Sequence, residues 1–236
     1  MMKSYGMVRA IRGITLKINR GEIFGVVGPR GSGKSTLLEL LIGIREADGG
    51  QLNMLGMDAD KHANELKEHI GFQLQHTSLH ERIKVKEVLK LFRSYYKKKR
   101  DLNDIISMLA LKPYLNHYVM DLTENWKKRI AFALALVNDP EIIFLDEPSA
   151  GLEPQAQTEL WEILGRMREE GKTIIVSTPH IEEAQQHCDR VALIVGGEVS
   201  LCSTPQEIKR KLLFGTNSFD QRNLQLTALR WRGETA

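Results

Sequence analysis

The strongest constraint on the fold is a glycine-rich loop between an apolar run and a helix-like segment. Residues 28–36 read G-P-R-G-S-G-K-S-T, directly after the apolar run at 23–27 and before a segment of helical length and composition at 36–44. The loop fits the pattern G-x-x-x-x-G-K-[ST], the P-loop, whose backbone N–H groups surround phosphate oxygens. The order strand, loop and helix therefore predicts an α/β fold with a phosphate site.

The same alternation continues along most of the chain. Strands are predicted at 14–18, 23–27, 51–55, 70–74, 142–146, 173–177 and 191–195. Helices are predicted at 36–44, 62–69, 155–169 and 181–187. From about residue 84 to 136, apolar residues recur at helical spacing without strand-like stretches. The pattern predicts a mainly parallel sheet with helices on both faces and a helical insertion.

The length of 236 residues fits one domain that carries an additional lobe. We predict that 1–236 forms a single domain, with a nucleotide-binding core at about 1–75 and 138–215. A helical subdomain is predicted at about 76–137, and 216–236 is predicted to be a tail of unknown role.

Composition excludes several classes of protein. Hydrophobic residues make up 42% and charged residues 27% of the chain, as in a soluble globular protein. The apolar runs, such as 130–137, are too short to span a bilayer, and the N-terminus lacks the apolar segment of a signal peptide. The net charge of +3 does not indicate a nucleic-acid partner, and two cysteines form neither a disulfide framework nor a metal motif.

A pair of carboxylates follows the apolar run at 142–145. Asp146 and Glu147 lie where that strand is predicted to end, which is the edge at which ligands bind in such sheets. Together with the loop, this placement predicts that Asp146 acts on Mg²⁺ and that Glu147 polarises an attacking water. Lys34 would reach the β- and γ-phosphates, and the Ser35 hydroxyl would hold Mg²⁺. The alternative, an acidic N-cap for the next helix, explains the pair but leaves the loop unexplained.

These two motifs and the segments between them resemble the ATP-binding subunit of an ATP-binding cassette (ABC) transporter over about residues 3–212. The resemblance implies a P-loop NTPase core, a helical subdomain and a small N-terminal antiparallel β part. It implies ATP and Mg²⁺ as cofactors. The residues implied to bind the nucleotide at the loop are Gly28, Pro29, Arg30, Gly31, Ser32, Gly33, Lys34, Ser35 and Thr36.

Further residues match the family's motifs in order. Tyr5 lies where the family places an aromatic ring that stacks on adenine, and His180 where it places the histidine that contacts the γ-phosphate. Gln75 resembles the glutamine that touches Mg²⁺ and senses the transport partner; Gln73 is the rival for that role, and the spacing favours Gln75. The resemblance thus implies a catalytic set of Glu147, His180 and Gln75, and a metal set of Ser35, Gln75 and Asp146.

One family motif is altered. The signature sequence L-S-G-G-Q is replaced here by L-T-E-N-W at 122–126. In the family, two such domains meet head to tail, and the signature of one closes over the ATP of the other through close backbone donors. Glu124 adds a negative charge beside a polyanion, while Asn125 and Trp126 add bulk where glycine allows close approach. We expect low ATPase activity from the isolated chain. A heterodimer with a sound second ATPase is preferred, although a homodimer is possible.

The resemblance implies the motor subunit of an ABC transporter, similar to export-type subunits that serve a separate permease. Such a chain would be an Mg-dependent, transport-coupled ATPase, cytoplasmic and held at the inner face of the cell membrane by an integral-membrane permease. The alternatives are a regulatory ATP-binding subunit with little turnover and a soluble ABC ATPase not involved in transport. No nucleic acid is expected as a partner.

Overall fold

The computed structural model describes residues 1–75 and 82–214, with side chains up to Lys211. The predicted tail at 216–236 and the first residues of the predicted helical subdomain, 76–81, lie outside the described residues. The strands are β1 (Met2–Tyr5), β2 (Val8–Arg12), β3 (Ile23–Val27), β4 (Asn53–Met54), β5 (Met57–Asp58), β6 (Ile70–Gln73), β7 (Ile142–Asp146), β8 (Thr173–Thr178), β9 (Arg190–Val195) and β10 (Glu198–Ser203). The helices are α1 (Lys34–Leu41), α2 (Ala63–His69), α3 (Val85–Ser94), α4 (Leu102–Met108), α5 (Glu124–Leu134), α6 (Pro154–Glu169), α7 (Ile181–His187) and α8 (Pro205–Phe214).

Six strands form the central sheet in the order β10-β9-β3-β8-β7-β6. All neighbours are parallel except β9 and β10, which are antiparallel. Every residue of β3 and β7 is buried, as expected for strands that are covered on both faces. The predicted α/β class with a mainly parallel sheet is confirmed, and the smaller β1–β2 and β4–β5 pairs are antiparallel.

The two faces of the sheet bury separate apolar clusters. One face packs against α1 and α2 and includes Phe24 and Phe144. The other face packs against α5 and α6. The same cluster includes residues of α3 and α4, which lie between β6 and β7 in the chain. Across residues 1–75 and 82–214, none of the helices has both the length and the apolar character needed to cross a bilayer.

The predicted strand at 14–18 is wrong. Residues 13–19 belong to none of the strands in the described part of the chain, although Ile14 exchanges backbone hydrogen bonds with Met1 (2.8 and 2.9 Å). Ile14 is buried while Thr15 and Lys17 are exposed, so the alternation reflects burial of one face without a ladder partner. The strand predicted at 51–55 shrinks to β4, because Leu55 and Gly56 turn the chain into β5.

Candidate nucleotide site

The glycine loop connects the carboxyl end of β3 to the N-terminus of α1. Its glycines are required by close packing and by backbone conformation. A Cβ on Gly28 would lie 2.3 Å from the carbonyl oxygen of Ile194. Gly33 has φ +106°, and a Cβ there would lie 2.6 Å from the carbonyl oxygen of Ala10 in β2. The loop therefore packs closely between β9 and the hairpin formed by β1 and β2. Only glycine fits at these two positions.

Lys34 points back across this loop. Its ammonium group donates hydrogen bonds to the carbonyl oxygens of Gly28 (2.9 Å) and Pro29 (3.2 Å), and it lies 3.6 Å from Oε1 of Glu147. Burial lowers the pKa of Lys34, and the attraction of Glu147 partly opposes that shift. A buried ammonium group whose partners are two neutral carbonyl groups and one carboxylate at 3.6 Å can exchange them for a phosphate, which offers more negative charge.

Asp146 is the last residue of β7 and Glu147 follows it, and both are buried. The hydroxyl of Ser177 donates to Asp146 and accepts from the backbone N–H of Glu147 (3.0 Å). Glu147 has φ +47°, an unfavourable conformation for a non-glycine residue, and such conformations cluster at functional sites. Sequence reasoning missed the role of Ser177. That role depends on the parallel pairing of β7 and β8, which places Ser177 opposite Asp146.

The structure brings Gln75, and not Gln73, to the carboxylate. The amide of Gln75 donates to Oε2 of Glu147 (2.9 Å), so both oxygens of Glu147 are engaged, one by Lys34 and one by Gln75. Gln73 ends β6 at 6% exposure, and within residues 1–75 and 82–214 its buried side-chain oxygen has no hydrogen-bond partner. Gln73 lines a separate cavity of about 30 Å³ between α5 and α6.

The two remaining predicted residues lie on neighbouring elements. His180 is the N-cap of α7, directly after the carboxyl end of β8, and its backbone N–H donates to the Thr178 hydroxyl (3.1 Å). Tyr5 ends β1 in the hairpin that packs on Gly33 through β2. The Tyr5 ring is partly exposed, with the Arg45 guanidinium 5.4 Å from its centroid.

The loop fits a polyphosphate. Among the described residues the buried hydroxyl of Ser32 has no hydrogen-bond partner, and the first N–H groups of an α-helix have no acceptors within the helix. The described residues contain no group of three His, Cys, Asp or Glu side chains that could hold a metal ion alone. Mg²⁺ commonly binds through one or two protein oxygens together with phosphate oxygens. Ser35 and Asp146 therefore suit a metal that arrives with a nucleotide.

The altered signature begins α5, and its side chains diverge. Glu124 is 83% exposed at the helix N-terminus, where it pairs with Lys127 (2.8 Å). Trp126 is half-buried: the centroid of its ring lies 3.9 Å from that of the Tyr114 ring, and the side chain packs against the core cluster. The expectation that Trp126 adds bulk at the signature surface is thus met only in part, because these contacts cover part of the indole. Glu124 and Asn125 remain as the changes at the surface of the motif.

Comparison with known proteins gives a family for this arrangement. The family model described as ABC transporter matches residues 11–150. The probable multidrug ABC transporter ATP-binding protein YbhF of Escherichia coli is 34% identical over 214 residues, covering 89% of this chain but 37% of that protein. The Nod factor export ATP-binding protein I of Rhizobium etli is 31% identical over 216 residues, covering 89% of this chain and 68% of that protein. The chain thus spans well under half the length of one of these relatives.

Solved structures of ABC transporter ATP-binding proteins have the same fold. The ATP-binding subunit of an ABC transporter superposes with a TM-score of 0.84, covering 96% of both chains at 23% identity, which supports the fold alone. The dimeric structure of the bacterial ABC transporter cassette MJ0796 gives a TM-score of 0.78 at 26% identity, covering 86% of this chain and 96% of that one. On the family match and the site geometry together, this chain belongs to the ABC transporter family and carries its ATP-binding domain.

Proposed function

We propose that the chain is the ATP-hydrolysing motor subunit of a transporter and works as a dimer on a separate membrane permease. The observation that carries this proposal is the contact of buried Lys34 and buried Glu147 beside the glycine loop, with half-buried Gln75 on the second oxygen of Glu147. Names of the relatives support it, since they are ATP-binding proteins of multidrug and Nod factor export systems. The chain would then lie in the cytoplasm, at the inner face of the cell membrane.

The arrangement suggests how nucleotide binding would prepare hydrolysis. The backbone of 28–36 would bind the phosphates, with Ser35, Gln75 and Asp146 around Mg²⁺, which would neutralise phosphate charge. Once Lys34 turns to the β- and γ-phosphates, Oε1 of Glu147 loses its contact with Lys34 and can accept a proton from the attacking water. His180 would contact the γ-phosphate, and Tyr5 would stack on adenine.

Purification from membranes tests this function directly. We expect the tagged full chain, extracted in mild detergent, to co-purify with an integral-membrane protein and to hydrolyse ATP when Mg²⁺ is supplied. A matched purification of the Lys34→Ala variant checks that turnover belongs to this chain. Recovery of an active, soluble ATPase without a membrane partner would contradict the transporter role and favour a soluble ABC ATPase.

We further propose that the second ATPase subunit is a different chain. The surface of the signature carries the exposed carboxylate of Glu124 and the half-buried side chain of Asn125. A negative charge and extra side-chain atoms hinder approach to the γ-phosphate of a facing subunit. A partner with an intact signature would complete the ATP site of this chain, whereas two copies would leave both sites impaired.

The signature can be restored in place. We expect the isolated chain to bind ATP yet hydrolyse it slowly, with little rise in specific activity as its concentration increases. The combined change Thr123→Ser, Glu124→Gly and Asn125→Gly should raise that activity, because it removes the charge and frees backbone donors. Steady-state ATPase assays at one salt concentration measure the effect, since salt screens exposed charges.

Trp126 provides the matched control for this experiment. Adding Trp126→Gln to the triple change should give no further activity and should lower the free energy of unfolding by more than about 1 kcal/mol, because the ring pair with Tyr114 and the apolar contacts with the core cluster are both lost. Denaturant titration measures that cost. Fast, concentration-dependent hydrolysis by the unmodified chain would show that L-T-E-N-W is a working signature and would remove the argument for an unequal partner.

A further inference from the structure

A carboxylate outside the phosphate site connects three elements of the core. Glu183 lies in the first turn of α7, and its Oε2 accepts a hydrogen bond from the Thr178 hydroxyl at the end of β8 (2.5 Å). Its Oε1 accepts a second hydrogen bond from the indole N–H of Trp161 in α6 (3.1 Å). Because both oxygens are engaged, the side chain of Glu183 is fixed between β8 and α6.

The Thr178 hydroxyl extends this connection to His180. It accepts a hydrogen bond from the backbone N–H of His180 (3.1 Å), while its own proton goes to Glu183. A hydroxyl has one proton and two lone pairs, so fixing the proton on Glu183 directs a lone pair towards the His180 N–H. Thr178 is 1% exposed, and water therefore does not compete for its hydroxyl.

The other end of the connection is held by packing. Trp161 is buried, and its ring stacks on His187 with centroids 4.4 Å apart and an interplanar angle of 6°. Burial lowers the pKa of His187 although Glu183 acts in the opposite direction. The lowered pKa favours the neutral ring in this stack. The indole N–H is thus a fixed donor, and Glu183 is oriented relative to the long helix α6.

We propose that Glu183 is a positioning residue for His180 and acts through the hydroxyl of Thr178. The inference rests on the proposed function, in which His180 contacts the γ-phosphate. An acidic residue in a first helical turn also interacts favourably with the helix dipole. Glu182 occupies the same turn, is exposed, and serves that purpose without the two hydrogen bonds of Glu183. Glu182 is therefore the matched control.

Four variants separate positioning from general stability. Thr178→Val removes the hydroxyl and keeps the side-chain shape, whereas Thr178→Ser keeps the hydroxyl; Glu183→Gln leaves one acceptor oxygen of two. We expect Thr178→Val and Glu183→Gln to lower kcat of the full chain in its membrane complex about three- to tenfold, the factor that one lost hydrogen bond represents. KM for ATP should not change, because the phosphate loop is untouched. Thr178→Ser and Glu182→Gln should keep the wild-type kcat.

Amide hydrogen exchange at His180 gives a second measurement that needs no turnover. In the full chain, the His180 N–H should exchange faster in Thr178→Val and Glu183→Gln than in the wild type or Glu182→Gln. If Thr178→Val fails to fold, Trp161→Phe replaces it, since it removes the donor to Glu183 and keeps an aromatic ring against His187, at the cost of some buried volume. It should change kcat and exchange in the same direction.

The outcomes are distinct. Unchanged exchange at His180, or faster exchange with an unchanged kcat, would overturn the positioning role of Glu183. A wild-type complex that hydrolyses no ATP would instead end the proposed motor function. In that case, the exchange comparison alone decides whether Glu183 fixes the backbone of His180.

Discussion

Glu147→Gln should leave ATP binding intact and reduce turnover of the assembled transporter by about 10²- to 10⁴-fold, the usual effect of removing a positioned general base. Glutamine keeps the size of the side chain and an oxygen that can accept from Gln75 (2.9 Å in the wild type). It loses the negative charge that faces Lys34 and the capacity to take a proton from water. Single-turnover and steady-state ATPase assays on the purified complex measure the loss.

The other end of the same strand offers a control. Glu141 directly precedes β7 and pairs with His69 on the surface (2.9 Å), away from the glycine loop. Glu141→Gln makes the same chemical change and should keep wild-type turnover. If the Glu147→Gln complex retains activity within a few-fold of the wild type, another group activates the water and the assignment of Glu147 fails.

The parts of the site that sequence could predict are those fixed by local chain order. The glycine pattern at 28–36 is recognisable between its own strand and helix, and Asp146 and Glu147 are recognisable at the end of the apolar run before them. A buried parallel strand is recognisable from composition, since both of its faces are covered. The α/β class and the position of the loop were predictable for that reason.

Side-chain contacts between distant parts of the chain were harder to predict from the sequence. Ser177 joins Asp146 only because β7 and β8 are neighbours in a particular register, which no local pattern gives. Trp126 was expected at the signature surface, but its ring is half-buried against Tyr114, a contact that the local sequence does not predict. The alternation at 14–18 indicates one buried face correctly, yet strand formation also needs a hydrogen-bonding partner along the chain.

The second large effect is expected at Lys34. Lys34→Ala should weaken the binding of a fluorescent ATP analogue about 10- to 100-fold, because hydrogen bonds from a charged donor contribute about 1.5–3 kcal/mol each. The ammonium group is already desolvated in the free chain, as its lowered pKa reflects, so bringing it to the phosphates costs little additional dehydration. Its present partners, the Gly28 and Pro29 carbonyl groups and Glu147, are weaker competitors than a triphosphate.

Removing this lysine also leaves Glu147 without its cation, so binding must be separated from folding. Lys61→Ala removes a surface lysine that pairs with Asp58 (3.4 Å) and should bind the analogue as the wild type does. Circular dichroism and thermal unfolding of both variants establish that each is folded before titration. Because the loop backbone still presents its N–H groups, Lys34→Ala should retain weak binding that falls with salt less steeply than in the wild type. A folded Lys34→Ala chain with wild-type affinity would show that the nucleotide binds elsewhere, and the roles given to Ser35, Asp146 and Glu147 would lose their basis.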